Sequence, residues 1–278
     1  MKKHLKLLLV LCLVVPCVMV FTACGAGKDM DAEAALGRFL SLMEEGTLED
    51  IYMGWEGVVM KGSLAYVECY EDENDYEKLD ISGKLDIKII NGEEPVDIIA
   101  SVKSDSKMTA STKIYKQSDE AKTSAYVAGG TAYDNILKTK TTEYSMGQIY
   151  NALGSVGGVA FEAIGIESGL ELKSAKRKEL SGKREQITLA VDLEKQFADE
   201  GAESVKTSGK YVITMIFDED GGLLEIKLCV NFKVTKSYLD GDYAWTESVS
   251  SKASVFMKEY KGKISEPSGI SKYVDCMF

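Results

Sequence analysis

From Glu225 to Val234 the chain changes character at every residue. Ile226, Leu228, Val230, Phe232 and Val234 are apolar, and Glu225, Lys227, Cys229, Asn231 and Lys233 alternate with them. Successive side chains of a strand point to opposite faces, so such a run has one dry face and one wet face. Antiparallel strands of a sheet buried on one side read this way. The same period returns in Ile81, Leu85, Ile87 and Ile89, and in Ile187, Leu189, Val191 and Leu193. Val249, Ala253, Val255 and Met257 repeat it more weakly. Asn91-Gly92, Gly129-Gly130, Asp218 to Gly222 and Asp240-Gly241 supply turn chemistry between strand-like stretches. Strands are predicted over 57–70, 79–91, 95–104, 107–117, 122–129 and 131–139. A second group covers 172–181, 184–197, 209–218, 223–237 and 244–260. Several exceed the usual length of about 5–6 residues, and a sheet that long and wide must twist and curl.

A curled sheet with one apolar face needs a cover. From Lys28 to about Met53 the pattern is helical, with Ala34, Ala35, Phe39, Leu40 and Met43 near one face. Asp29 or Asp31 can cap its start, and Thr47 can cap a short turn through Leu48 and Ile51. Between the two strand groups, Ser145 to Gly154 is helical in pattern, and Val159 to Ile166 can form a second short helix. The predicted fold is therefore α+β. A large curled antiparallel half-barrel is covered by an N-terminal helix and a mid-chain helical insert. Only three prolines occur in 278 residues, so no Pro-rich linker divides the chain, and residues 29–278 read as one domain.

The first residues form a separate text. Lys2, Lys3 and Lys6 precede an apolar run from Leu5 to Phe21, which ends in Phe21-Thr22-Ala23-Cys24. Phe21 sits wrongly for ordinary signal cleavage after Ala23 but fits a lipobox, in which Cys24 is acylated after cleavage before it. Residues 1–23 are thus read as a lipoprotein signal peptide and 24–28 as a lipidated tether. An uncleaved anchor helix is the alternative, because the run approaches the roughly 20 residues that span a bilayer. Both place the remainder at the extracytoplasmic face of a membrane. Cys24-Gly25-Ala26-Gly27-Lys28 lacks phosphate-loop spacing, so it reads as a flexible link.

Charge and composition exclude several chemistries. Loss of three signal lysines from 33 basic residues leaves 30 against 44 acidic ones. That balance disfavours nucleic acid and is repelled by anionic headgroups, which leaves membrane attachment to the acyl chain. His4 is the single histidine and departs with the signal. No His-dependent nucleophilic site and no His-ligated metal then remain. The chain is expected to be no enzyme and to hold no cofactor or metal. Cys69, Cys229 and Cys276 allow at most one disulfide beside an acylated Cys24. The acidic run Glu71 to Asp75 lacks the glycine and terminal glutamate of a calcium loop and reads as a solvated loop.

The order of lipobox, helix, strands, helical insert and strands resembles the LolA/LppX-like half-barrel lipoproteins. Gly221-Gly222-Leu223-Leu224-Glu225-Ile226-Lys227-Leu228 and the exit from Tyr260 to Gly269 also resemble uncharacterised lipoproteins of Gram-positive bacteria. The resemblance spans roughly residues 30–270 and implies an apolar ligand such as an acyl chain or lipid. It transfers no binding residues. From the sequence itself, Met146, Leu153, Phe161 and Ile164 of the Gly-rich insert, with Val230 and Phe232, are candidate lining for a hydrophobic-ligand cavity. The competing reading is an envelope interaction or scaffold lipoprotein with a packed core and no ligand. Cys24→Ser is expected to abolish incorporation of labelled palmitate and to move the chain from the detergent phase to the aqueous phase. A Cys24→Ser chain that still incorporates palmitate would remove the lipobox assignment.

Overall fold

The computed structural model describes residues 27–43, 51–52, 54–141 and 170–275. The first strand group comprises β1 (Lys28–Asp29), β2 (Gly57–Asp72), β3 (Tyr76–Ile90), β4 (Ile99–Thr112), β5 (Lys116–Ala128), β6 (Thr131–Asp134) and β7 (Thr139–Thr141). The second comprises β8 (Leu172–Leu180), β9 (Arg184–Val191), β10 (Ser204–Phe217), β11 (Leu223–Asp240), β12 (Tyr243–Glu259) and β13 (Val274–Asp275). Helix α1 is Ala32–Met43, and α2 is the single turn Leu193–Gln196.

These strands form one thirteen-stranded sheet in the order β1-β8-β9-β10-β11-β12-β2-β3-β4-β5-β6-β7-β13. Every pairing is antiparallel except that of β13 with β7. Two meanders, β2 to β7 and β8 to β12, are joined where β12 pairs with β2 through fifteen aligned residues, from Trp245↔Asp72 to Glu259↔Val58. The sheet stays open, with β1 at one edge and β13 at the other. It is the α+β half-barrel expected from the alternation.

Register assigns the two faces. Ile187, Leu189, Ile213, Met215, Ile226, Leu228, Val58, Ile87 and Ile89 all lie on the inner face, buried in one core. Helix α1 begins where Asp31 Oδ1 accepts from the amides of Glu33 (2.8 Å) and Ala34 (3.3 Å). That side-chain acceptor satisfies donors which have no partner inside the helix. Ala35, Phe39 and Leu42 are its buried stripe. The helix packs on β8 and β9. Arg38 stacks its guanidinium 3.7 Å from the Phe217 ring and bonds Glu185 at 3.2 Å. Glu185 also holds Arg177 at 2.8 Å. One carboxylate therefore ties helix to sheet.

Several boundaries differ from expectation, each for a local reason. Lys28–Asp29 is a strand on β8, not the start of the helix. On α1, Leu40 and Ala34 face outward, because the buried positions follow the spacing i, i+4, i+7 from Ala35. The stretches expected as separate strands at 95–104 and 107–117 are a 3-10 turn at Pro95–Asp97 followed by the single strand β4. The polar run Lys103 to Lys107 is not a break, for it pairs continuously with Ser82 to Asp86 of β3. The chain reverses later, at Lys113 to Tyr115, where Thr112 Oγ1 accepts from the Tyr115 amide. The 131–139 stretch is split by a turn in which Asp134 Oδ1 accepts from Ile136 and Leu137. The strand from 184 stops at Val191, because Asp192 caps α2 through the amides of Glu194 and Lys195. Thr47 and the mid-chain insert lie outside the described residues.

Candidate functional site

The inner face is not uniform along its length. Towards the β10–β11 turn it is buried core. Towards the opposite end, where the β2–β3, β4–β5 and β11–β12 hairpins turn, the side chains become progressively exposed. The cross-strand rows show the change. Met60 aligns with Met257 and Ile87, and the next row holds Gly62, Val255, Leu85 and Ser104. Then come Leu64, Ala253, Gly83 and Ser106, followed by Tyr66, Ser251, Ile81 and Met108. Leu64, Leu85, Ile81 and Leu79 are only half-buried, and Met108 is 43% exposed.

Two glycines shape this stretch. Gly62 and Gly83 lie on the inner face, with Ala253, Ser104 and Ser106 as small neighbours. A floor of such residues, walled by leucines, is a trough running along the strands. A Cβ on Gly62 would sit 3.7 Å from Leu85 Cβ and Val255 Cγ2, an ordinary contact. The backbone there does not require glycine. At the hairpin end the trough opens into a groove of about 410 Å³ lined by Glu68, Tyr70, Glu77, Leu79, Ala110 and Tyr115, among others.

Two buried hydroxyls on the inner face, Tyr211 Oη and Ser251 Oγ, have no hydrogen-bond partner among the described residues. Tyr211 is aligned with Val230, and Ser251 lies between Phe232 and Tyr66. Burial pushes the Tyr211 phenol well above its ordinary value, so it stays a neutral donor. An unpaired buried hydroxyl costs about 1–3 kcal/mol, so these two mark a polar demand within an apolar surface.

Aromatic and acidic side chains gather at the hairpin end. Asp72 accepts from the hydroxyls of Tyr243 and Tyr70 and from the amides of Asn74 and Asp75. Four donors on one carboxylate, with Tyr243 foremost, hold it far below the usual carboxylate range. The acidic run Glu71 to Asp75 is thus a built hairpin turn. Trp245 stacks on Tyr238 at 4.9 Å with the rings 8° from parallel, and Tyr243 leans on it at 5.5 Å. Burial raises the Tyr66 phenol to about 12, with Glu68 adding to the shift.

Of the expected cavity residues, Val230 and Phe232 are described. Both are buried on the inner face, and Phe197, just after α2, packs 4.9 Å from the Phe232 ring. They belong to the covered core next to the trough. Cys24, Met146, Leu153, Phe161 and Ile164 lie outside the described residues. Leu64, Leu79, Ile81, Leu85 and Met108 are the trough residues that sequence reasoning did not single out. The alternation of Ile81 and Leu85 was visible, but alternation marks a face and not how far along it the cover extends. Cys69 and Cys229 are free thiols on the outer face. Among the described residues, no group of three or more His, Cys, Asp or Glu is placed to hold a metal. Among the same residues, no helix is long and apolar enough to cross a membrane.

No family model matches the chain, and no curated protein matches it. Among solved structures it is similar to LprF from Mycobacterium bovis, at 10% identity over 87% of this chain and 99% of that one, with a TM-score of 0.28. It is also similar to OccK7 (OpdD) from Pseudomonas aeruginosa, at 7% identity over 74% of this chain and 98% of that one, with a TM-score of 0.19. At such scores the likeness extends to neither family nor ligand.

Asp199 offers a local test of the hairpin-end electrostatics. Lys236 Nζ (2.8 Å) and the Tyr238 hydroxyl (2.9 Å) both donate to it and hold it down to about 2. A depressed carboxylate stabilises the fold above its unfolded value of about 3.9, and that contribution is lost as pH falls through about 2. Lys236→Met is expected to move the Asp199 carboxyl resonance titration upward. The stability difference from wild type should shrink between about pH 4 and pH 2. An unchanged titration would show that the Lys236 contact is not made in solution.

Proposed function

We propose that this chain is a membrane-tethered extracytoplasmic lipoprotein of LolA/LppX-like type that holds an apolar ligand, an acyl chain or lipid, in its half-barrel without catalysis. The observation that carries the reading is the partly uncovered inner face. The core's apolar surface continues into a small-residue trough whose walls, Leu64, Leu79, Ile81, Leu85 and Met108, are half-buried or exposed. Leaving such surface in water costs about 25 cal/mol per Å². A sheet that served only as a scaffold gains nothing from it. An acyl chain laid along the trough removes that surface from water. Ligand sites are often apolar and concave with a few convergent polar groups, and Tyr211 and Ser251 supply two hydroxyls able to bond an ester or hydroxyl oxygen.

Tethering follows from Cys24. Lys28 follows it by four residue steps, so the sheet edge is held within about 14 Å of the acylated residue. A tether that short keeps a lipid-binding protein near a membrane source of ligand.

The test is occupancy. The Cys24→Ser chain, exposed to a total lipid extract and measured by native mass spectrometry, should retain lipid. Gly62→Phe fills the trough without backbone strain, so it should leave thermal stability within a few degrees of the parent while occupancy falls severalfold. Absence of lipid from both proteins would overturn the reading in favour of a packed envelope scaffold.

A further inference from the structure

The net charge of −11 hides a sharp segregation. On the outer face of the sheet, lysine outnumbers aspartate and glutamate together. One cross-strand row runs Lys176, Thr188, Thr214, Lys227, Phe256, Lys61, Asp86 and Lys103, from β8 to β4. Neighbouring rows carry Lys252 beside Asn231, Lys233 beside Ser250, and Lys84 between Ser63 and Asp105. Ion pairs neutralise part of this face, as in Lys61–Asp86 at 3.3 Å and Lys107–Glu120 at 2.7 Å. Lys84, Lys103, Lys233 and Lys252 are exposed, and among the described residues no carboxylate lies within ion-pair distance of them. Strand alternation produces the segregation, since each lysine that separates two apolar residues must point outward. The acidic excess lies elsewhere, in turns and at the hairpin end.

Where the tether enters decides which part of this face meets a partner. Lys28 pairs with Arg177, and Asp29 with Lys176, so the chain arriving from Cys24 joins the sheet at the β8 edge. That strand reads Leu172-Lys173-Ser174-Ala175-Lys176-Arg177-Lys178. Lys176 and Lys178 face outward, with Arg184 of β9 beside them across from Leu180. A basic strand is thereby placed next to a lipid anchor only four residues away.

We propose that the β8 edge of the lysine face docks on anionic lipid headgroups of the membrane to which the chain is tethered. A basic patch beside a lipid anchor is held near the surface, where attraction to anionic headgroups adds about 1 kcal/mol per lysine. Docking by this edge sets the sheet upright on the bilayer and leaves both the trough and the remaining outer face accessible. The global charge is no obstacle. At an ionic strength of about 0.15 M the screening length is roughly 8 Å, so headgroups under β8 sense Lys176, Lys178 and Arg184, with Asp29 aligned beside Lys176, and not the distant carboxylates of the turns. The geometry rests on the lipid-anchor reading, but the electrostatic contact does not need the anchor.

The experiment uses the processed chain carrying Cys24→Ser, with no lipid of its own. It is sedimented with vesicles of equal parts phosphatidylglycerol and phosphatidylcholine, and with phosphatidylcholine alone. Binding is expected only to the first, and to disappear in about 0.5 M salt. Lys176→Gln with Lys178→Gln should weaken it about 25-fold, from roughly fivefold for each lysine. Lys103→Gln with Lys252→Gln, on the same face far from the tether, should weaken it much less. Equal loss in the two double variants, equal binding to both vesicle types, or capture by soluble polyphosphate without vesicle binding would each overturn the proposal. None of these outcomes depends on whether the trough retains lipid. Failure here is therefore distinguishable from failure of the ligand reading.

Discussion

The pairing of β12 with β2 is the contact on which the architecture depends. The two meanders are each sheets with one dry face, and neither could bury that face alone. Aligning Ala253 with Leu64 and Met257 with Met60 puts both dry faces on the same side. Because side chains alternate with a period of two, a slip of one residue would turn the inner face of one meander against the outer face of the other. The core from Ile187 to Ile89 would then be divided. Hydrophobic alternation thus fixes the register as well as the strands, and the curled single sheet follows from it.

The same alternation has a second product. Placing most of the alternating apolar residues inward turns the intervening lysines outward, so one pattern creates an apolar concave face and a basic outer face. The trough and the lysine grid are two readings of one periodicity. Where the inward positions are large, as at Ile87, Ile89 and Leu228, they make core. Where they shrink to Gly62, Gly83 and Ala253, they leave a channel.

Much of this was legible in the sequence. The period-two runs identified the long strands and the inner-face residues Ile226 to Val234, and the glycine-bearing turns separated them correctly. Asp31 was one of two foreseen caps. The polar run Lys103 to Lys107 misled, because a central strand with small serines facing inward carries no apolar signal. Leu40 misled in another way: a helix stripe is chosen by which neighbours it meets, and α1 meets β8 and β9 through Ala35, Phe39 and Leu42. The candidate site was only half legible. Val230 and Phe232 do lie on the inner face. Which apolar residues are covered and which remain open depends on where α1 and α2 settle, a long-range outcome that local pattern does not encode. Net charge was the least informative quantity, since it averages over two faces of opposite character.

The central claim is that the open inner face of β2, β3 and β4 receives an acyl chain. A lipid carrying a photoreactive diazirine on its acyl chain, bound to the Cys24→Ser protein and irradiated, tests this most directly when adducts are mapped by peptide mass spectrometry. The account predicts labelling of Leu64, Leu79, Ile81, Leu85 and Met108, whose side chains line the trough. Labelling confined to the outer face, or no specific labelling at all, would contradict it.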